Sequence, residues 1–280
     1  MKNLMSNKYK LAKLIVFLFI LCRSCGYFSC QNYQVSYEVK FKPIKDKDLF
    51  IKEKMILNII GDQSLFYSLN KAKIDSLVNT NNSKAARSMT SPLLRLKVYK
   101  TLSKSECSVS GSFNQFNYWY KEQPPKYSHL KKVGLYKNYS AHEASTDFGK
   151  RKWYVVYTSD IPINAGPYVF SGLPGLVIKA ESLDGDYTFE MTGIKKLSET
   201  EEILKPKDNI SKEKLNSIIT NFMKDPASQR INFRNDMGDS FTYEFNGAKD
   251  KNYKDTNASV QKIIDQFNNY PDQEIPIITF

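Results

Sequence analysis

The 280-residue chain reads as an α+β protein, mostly antiparallel β, with a few helices, two of them in the C-terminal third. Three observations lead there. Tyr33, Val35, Tyr37, Val39 and Phe41 alternate with Gln34, Ser36, Glu38, Lys40 and Lys42, the period of an antiparallel strand with one face in the core. Leu183-Asp184-Gly185-Asp186 separates two strand-like runs, and Asp-Gly between such runs is a strong hairpin signal. Late in the chain, Ile210, Leu215, Ile218, Ile219, Phe222 and Met223, and then Val260, Ile263, Ile264 and Phe267, recur at helical spacing. With this many strands the sheet is expected to curl strongly or close into a barrel-like shape.

The chain opens on an export signal. Lys2, Lys8, Lys10 and Lys13 precede the apolar run Leu14–Leu21, which is too short for a spanning helix of about 20 residues but right for a signal-peptide core. Residues 1–30 are therefore expected to be cleaved, leaving one domain over 31–280. Cys25 and Cys30 add a lipoprotein alternative, in which a cysteine becomes the acylated N-terminus. Losing Lys2, Lys8, Lys10, Lys13 and Arg23 lowers the formal charge from +12 to +7. The remaining excess is spread out, whereas nucleic-acid binding calls for clustered Lys and Arg. Cys107 alone is certain to lie in the folded body, so at most one bridge, Cys30–Cys107, is available.

After the first strand, Met55 to Ile60 and Leu65-Phe66-Tyr67 flank the turn Gly61-Asp62 as a hairpin. Asn79 to Ser83 is polar and without period, hence a loop. Strands are expected over Leu94–Lys100, Cys107–Tyr120 and Ala144–Phe148. Arg151–Thr158 is apolar on both faces and should be the most buried strand. Leu176–Glu181 and Tyr187–Met191 form the Asp-Gly hairpin. Ser211 is the expected N-cap of the first late helix. Ile231–Arg234 and Phe241–Phe245 flank Gly238 as a further hairpin.

Between two of these strands runs the most unusual segment, Pro162 to Ile178, with Gly166-Pro167, Gly172 and Pro174-Gly175 inside ten residues. Glycine admits positive φ and close approach, and proline fixes φ, so the loop's path is set residue by residue. Gly149 with Arg151, Trp153 to Thr158, Ile161-Pro162, Gly166-Pro167-Tyr168, and Phe170 before Gly172-Leu173-Pro174-Gly175-Leu176 together resemble the GLPGLI family of exported proteins from Bacteroidetes-type bacteria. Asn268-Asn269 and Glu274-Ile275-Pro276-Ile277 resemble the family's ending. The resemblance implies an exported bacterial protein and no reaction; the expected location is the periplasm or the outer membrane, with secretion as the alternative.

Two readings of the loop follow. Gly172 and Gly175 permit a tight crossover, with Tyr168, Phe170 and Leu173 pinned in the core. Alternatively, Leu173-Pro174 form an apolar finger within a binding segment made of Gly166, Pro167, Phe170, Gly172, Leu173, Pro174, Gly175 and Leu176. Catalytic patterns are sparse. His129 and His142 lack the close spacing of a zinc site, Ser171 lacks the glycines of a nucleophile elbow, and Cys107 lacks an activating neighbour in sequence. No phosphate or dinucleotide loop occurs, so no cofactor is expected. Glu143, Asp147 and Asp160 offer a carboxylate pair for an exported hydrolase. The 18 tyrosines and 17 phenylalanines fit a non-enzymatic protein binding an apolar or peptide ligand or an envelope partner, and a structural accessory of an outer-membrane assembly is the third possibility.

Protein from the native host should begin between Cys25 and Asn32, as N-terminal sequencing or intact mass will read. A diacylglyceryl mass on Cys25 or Cys30 selects the lipoprotein, and a soluble cytosolic chain that keeps Lys2 to Leu21 contradicts export.

Overall fold

The computed structural model describes residues 32–113, 116–198, 202–224, 230–234, 240–244, 258, 261–262, 265 and 267–275. All belong to one unit, Asn32–Phe280; the signal expected over 1–30, with Cys25 and Cys30, lies outside the described residues. Eleven strands form one antiparallel sheet: β1 (Tyr33–Phe41), β2 (Ile51–Ile60), β3 (Gln63–Ser68), β4 (Lys97–Thr101), β5 (Glu106–Phe113), β6 (Phe116–Glu122), β7 (Ser128–Tyr136), β8 (Tyr139–Phe148), β9 (Arg151–Thr158), β10 (Leu176–Ser182) and β11 (Tyr187–Lys196). The order is β6-β5-β4-β3-β2-β1-β11-β10-β9-β8-β7. Two meanders, β1 to β6 and β7 to β11, thus meet where β1 pairs with β11. Helices α1 (Leu69–Asn79) and α2 (Ser83–Ser88) join β3 to β4, and α3 (Lys212–Lys224) follows β11. A separate hairpin pairs β12 (Arg230–Arg234) with β13 (Ser240–Glu244).

The alternation in β1 does what its period requires. Val35, Tyr37, Val39 and Phe41 are buried, and pairing sets Tyr37 opposite Met55 on one side and Val39 and Phe41 opposite Phe189 and Tyr187 on the other. Cross-strand aromatic pairs follow, with Phe41 stacked on Tyr187 at 5.7 Å between ring centres. Fully burying each such side chain is worth about 1.5–3 kcal/mol. The cluster continues through Trp153, Val155, Phe170 and Leu173, and into Leu215, Ile219 and Phe222 of α3. On α3, Ser211 Oγ accepts from Lys214 N at 3.2 Å, the expected N-cap.

The expectation that the strongly curled or barrel-like sheet closes is corrected: the strand order is open, and its ends β6 and β7 do not pair. Both edges are closed by other means. At β6, the Trp119 backbone oxygen accepts from Asn209 N and Ile210 N at 3.0 and 3.3 Å, and Trp119 N donates to Asn209 Oδ1 at 3.0 Å. At β7, register shifts and exposed lysines mark the strand, devices that discourage further pairing.

Other elements depart from expectation in detail. The strand read over Cys107–Tyr120 is two strands, β5 and β6. Helix α1 buries no residue, so it carries no apolar stripe for a sequence reading to find. Strand β7 is exposed over its first eight residues and lacks alternation. Of the last expected helix, Ala258, Gln261, Lys262 and Asp265 are helical, while Val260, Ile263 and Ile264 lie outside the described residues.

Candidate functional site

The crossover from β9 to β10 is built on its own backbone. Ala165 N donates to Ile163 O at 2.7 Å, Phe170 N to Pro167 O at 3.0 Å and Gly172 N to Asn164 O at 3.0 Å, while Leu176 N and Val177 N return to Ile161 O and Ala165 O. A Cβ on Gly166 would lie 2.6 Å from the Val177 Cβ, and one on Gly175 would strike the Thr158 carbonyl oxygen. Gly172, with φ +89°, has open space around it. Of the eight residues singled out in the sequence, Gly166, Pro167, Phe170, Leu173, Gly175 and Leu176 are buried, and Gly172 and Pro174 are exposed. Leu173 retains 2% of its surface. Phe170 packs 4.9 Å from Trp153, and Tyr168 lies parallel to Phe189 at 5.9 Å. Tyr168 adopts φ +49°, an uncommon left-handed conformation for a bulky residue. Its buried hydroxyl has no hydrogen-bond partner among the described residues.

Two groups from the sheet hold this crossover. The Tyr37 hydroxyl donates to Val177 O at 2.7 Å. Lys100, buried on β4, donates from Nζ to Gly166 O at 2.8 Å and Phe170 O at 3.3 Å. Burial disfavours the charged ammonium and pulls Lys100 down to about 8, against a small opposing effect of Cys107. Cys107 faces Lys100 across β4 and β5; burial pushes its thiol up to about 12, so it is mostly protonated at neutral pH. Nothing in the sequence near Lys100 marks it, because its acceptors lie more than sixty positions away.

Arg151, at the start of β9, is the second buried cation. Its side chain pairs with Asp184 and, at 3.2 Å, Asp186, and donates to Asn269 Oδ1 and to Tyr270 O. The hairpin turn read from Asp-Gly therefore also carries both of Arg151's carboxylates. Burial raises the Asp184 carboxyl, but Ser182, the Asp186 N–H and Arg151 outweigh it and hold the group below the usual range. Asn269 Nδ2 in turn donates to Lys42 O and Asp186 Oδ2, each at 3.0 Å. The Tyr187 hydroxyl donates to Asn269 O. Segment 267–275 is thus strapped across the ends of β1, β9 and β11.

The carboxylates do not gather as the sequence reading proposed. Glu143 accepts from the Tyr154 hydroxyl at 2.9 Å, Asp147 is exposed opposite Lys152, and Asp160 is exposed and accepts Ser140 N at 2.7 Å. A different set does gather: Lys212 Nζ lies 2.8 Å from Glu122, 2.9 Å from Asp272 and 2.8 Å from Glu274. Burial keeps the Glu122 carboxyl above its ordinary value despite Lys212. Burial opposes the Lys212 charge, but its three carboxylates overcome that and raise it. These residues tie β6, α3 and the terminal strap together. His129 contacts Ser145 Oγ at 2.9 Å on the surface, and His142 stacks on Tyr157 at 5.1 Å. Among the described residues no three His, Cys, Asp or Glu side chains form a ligand set.

An open cleft of about 1150 Å3 lies elsewhere on the sheet, reached by residues of β1 to β6, α1 and the segment after β11. Gln34, Asn58 and Tyr67 line it from adjacent strands, linked in series: Gln34 Nε2 donates to Asn58 Oδ1 at 2.9 Å, and Asn58 Nδ2 to the Tyr67 hydroxyl at 3.2 Å. Half-buried Trp119 lines it from β6, and Ile203 and Leu204 from the far side. Asn209 fixes the wall at Trp119, since its Nδ2 also donates to Asn117 O at 3.3 Å. The sequence reading missed this cleft, because its residues span positions 34 to 204.

A family model described as "Protein of unknown function (Porph_ging)" matches residues 66–179, a stretch that holds Lys100, Arg151 and the crossover but ends before Asp184 and Asn269. No curated protein matches the chain. Among solved structures, PNGF-II in space group P21 is similar at 16% identity and a TM-score of 0.42, covering 61% of this chain and 29% of that one. The C2 form gives 16%, 0.43, 61% and 28%. The chain thus matches under a third of the length of those structures.

Gly172→Ala, in open space at positive φ, should cost about 1–3 kcal/mol. Gly175→Ala should cost more or prevent folding, because its Cβ meets backbone. Urea denaturation checks the order, and equal, small losses would contradict it.

Lys100 also predicts a pH dependence. Between pH 8 and 10.5 the unfolded chain holds a proton that the native one has lost, so this group makes stability rise with pH. Cys107 acts oppositely above pH 9, ionising in the unfolded chain first. In a Cys107→Ser background, stability at pH 9.5 relative to pH 7.5 should therefore exceed that of the added Lys100→Met variant by about 1–2 kcal/mol.

Proposed function

We propose that this is an exported, non-enzymatic binding protein of the bacterial envelope, and that it takes its ligand in the open cleft while the signature crossover serves the fold. The observation carrying this reading is the cleft itself, whose walls combine Trp119 and Tyr67 with amides and hydroxyls, the mixture of apolar surface and placed polar groups that ligand sites use. The buried charged groups described above are engaged by the chain's own residues. Lys100 is held by crossover carbonyls, Arg151 by the turn and the terminal strap, and Glu122 and Asp272 by Lys212. Export is part of the proposal and rests on the Lys-flanked apolar run before residue 22.

Thermal shifts against sugars, peptides, fatty acids and nucleotides test it. A ligand at about 100 times its Kd adds about 2.7 kcal/mol of stability, and Leu65→Glu, in the cleft, should abolish that gain. A stabilising ligand indifferent to Leu65→Glu but lost with Glu143→Gln or Asp160→Asn would favour the carboxylate hydrolase instead.

A further inference from the structure

We infer that the cleft's ligand is a neutral oligosaccharide, with Trp119 as its stacking surface and the Gln34 and Asn58 amides reading its hydroxyls; this rests on the cleft being the binding site. Four observations converge. First, the cleft, at about 1150 Å3, exceeds the roughly 300–1,000 Å3 that encloses a drug-sized molecule, so it suits a chain of rings.

Second, the polar side chains from β1 and β2 are uncharged. In the Gln34–Asn58 link one amide N–H of Gln34 and the Asn58 carbonyl are used. The Gln34 carbonyl and a second N–H on each amide retain capacity, and an amide presents two donors and an acceptor in one plane. Hydroxyls, which donate and accept at once, match such groups better than carboxylates or phosphates do.

Third, the charges in the lining nearly balance. Lys71 is paired with Asp75, and the other charged residues in the described lining are Arg95, Lys97 and Glu202, so the described lining offers no strong field of one sign to steer an ionic ligand.

Fourth, the backbone that carries Trp119 is fixed. Asn209 takes its backbone N–H, and Asn209 and Ile210 take its carbonyl. A wall fixed before binding loses little freedom when a ring settles on it. The same bonds close the β6 edge at that point, which disfavours a peptide that would add as a strand. The amides disfavour an acyl chain, which would leave them unpaired.

The protein carries 2 tryptophans, and Trp153 is 0% exposed, so ligand-induced fluorescence change reports Trp119. The mature protein should be titrated with cellohexaose, xylohexaose, mannohexaose and hexa-N-acetylchitohexaose, and with hexagalacturonate, a decapeptide and oleate as contrasts. At least one neutral hexasaccharide should bind saturably with Kd below about 1 mM. By calorimetry, Trp119→Ala and Asn58→Ala should each weaken it about tenfold at unchanged melting temperature, whereas Trp119→Phe should retain binding within a few-fold. Saturable, Trp119-dependent binding of hexagalacturonate, the decapeptide or oleate without any neutral sugar would overturn the sugar assignment and leave the binding reading standing. Thermal shifts that Leu65→Glu removes but no neutral hexasaccharide reproduces would do the same. If none of the probes perturbs Trp119 and none shifts the melting temperature, both readings fall.

Discussion

A guanidinium is costly to bury unless every donor finds a partner, and Arg151, at 3% exposure, sets that constraint for much of this fold. Its partners come from two places in the chain. They are Asp184 and Asp186 in the β10–β11 turn, the Asn269 side chain and the Tyr270 carbonyl. Each must be in position for the charge to be tolerated, so strand β9, the hairpin and the terminal strap form together. Asn269 extends the requirement to β1 through Lys42 O and to β11 through Tyr187. The crossover sits inside this frame, entered from β9 and left through β10.

Lys100 repeats the device with a weaker donor set. Its ammonium meets two crossover carbonyls, which would otherwise lie buried without partners, and the penalty appears as a depressed pKa of about 8. The glycines are then explained locally: Gly175 passes against Thr158 O and Gly166 against Val177, where no side chain fits. The same crossover that looks most like a site in the sequence is, side by side with its neighbours, largely core. The matched family region, 66–179, spans both partners of the Lys100 contact but only one side of the Arg151 network.

What the sequence made legible is whatever depends on local pattern. The β1 alternation, the Asp184-Gly185 turn, the doubly apolar β9 and the Ser211 cap all rest on residues within a few positions of one another. What it hid depends on partners far away or on the lack of a buried face. Helix α1 has no buried residue, and β7 is almost wholly exposed, so neither leaves a hydrophobic period. The open sheet was misjudged because strand count alone says nothing of how Asn209 and Ile210 occupy the β6 edge. Lys100 reads as an ordinary strand lysine, and Arg151 stands out only as part of a motif with Gly149, since the acceptors of both are remote. The cleft is hidden for the same reason, its walls drawn from strands, a helix and the segment after β11.

The central claim is that Arg151 and the terminal strap stabilise one another. A double-mutant cycle between Arg151→Ala and Asn269→Ala, read by urea denaturation, measures that coupling directly. Contacting residues in one buried network couple by 0.5–3 kcal/mol, and the account predicts about 1.5 kcal/mol or more. Additivity within about 0.3–0.5 kcal/mol, the behaviour of independent sites, would contradict it.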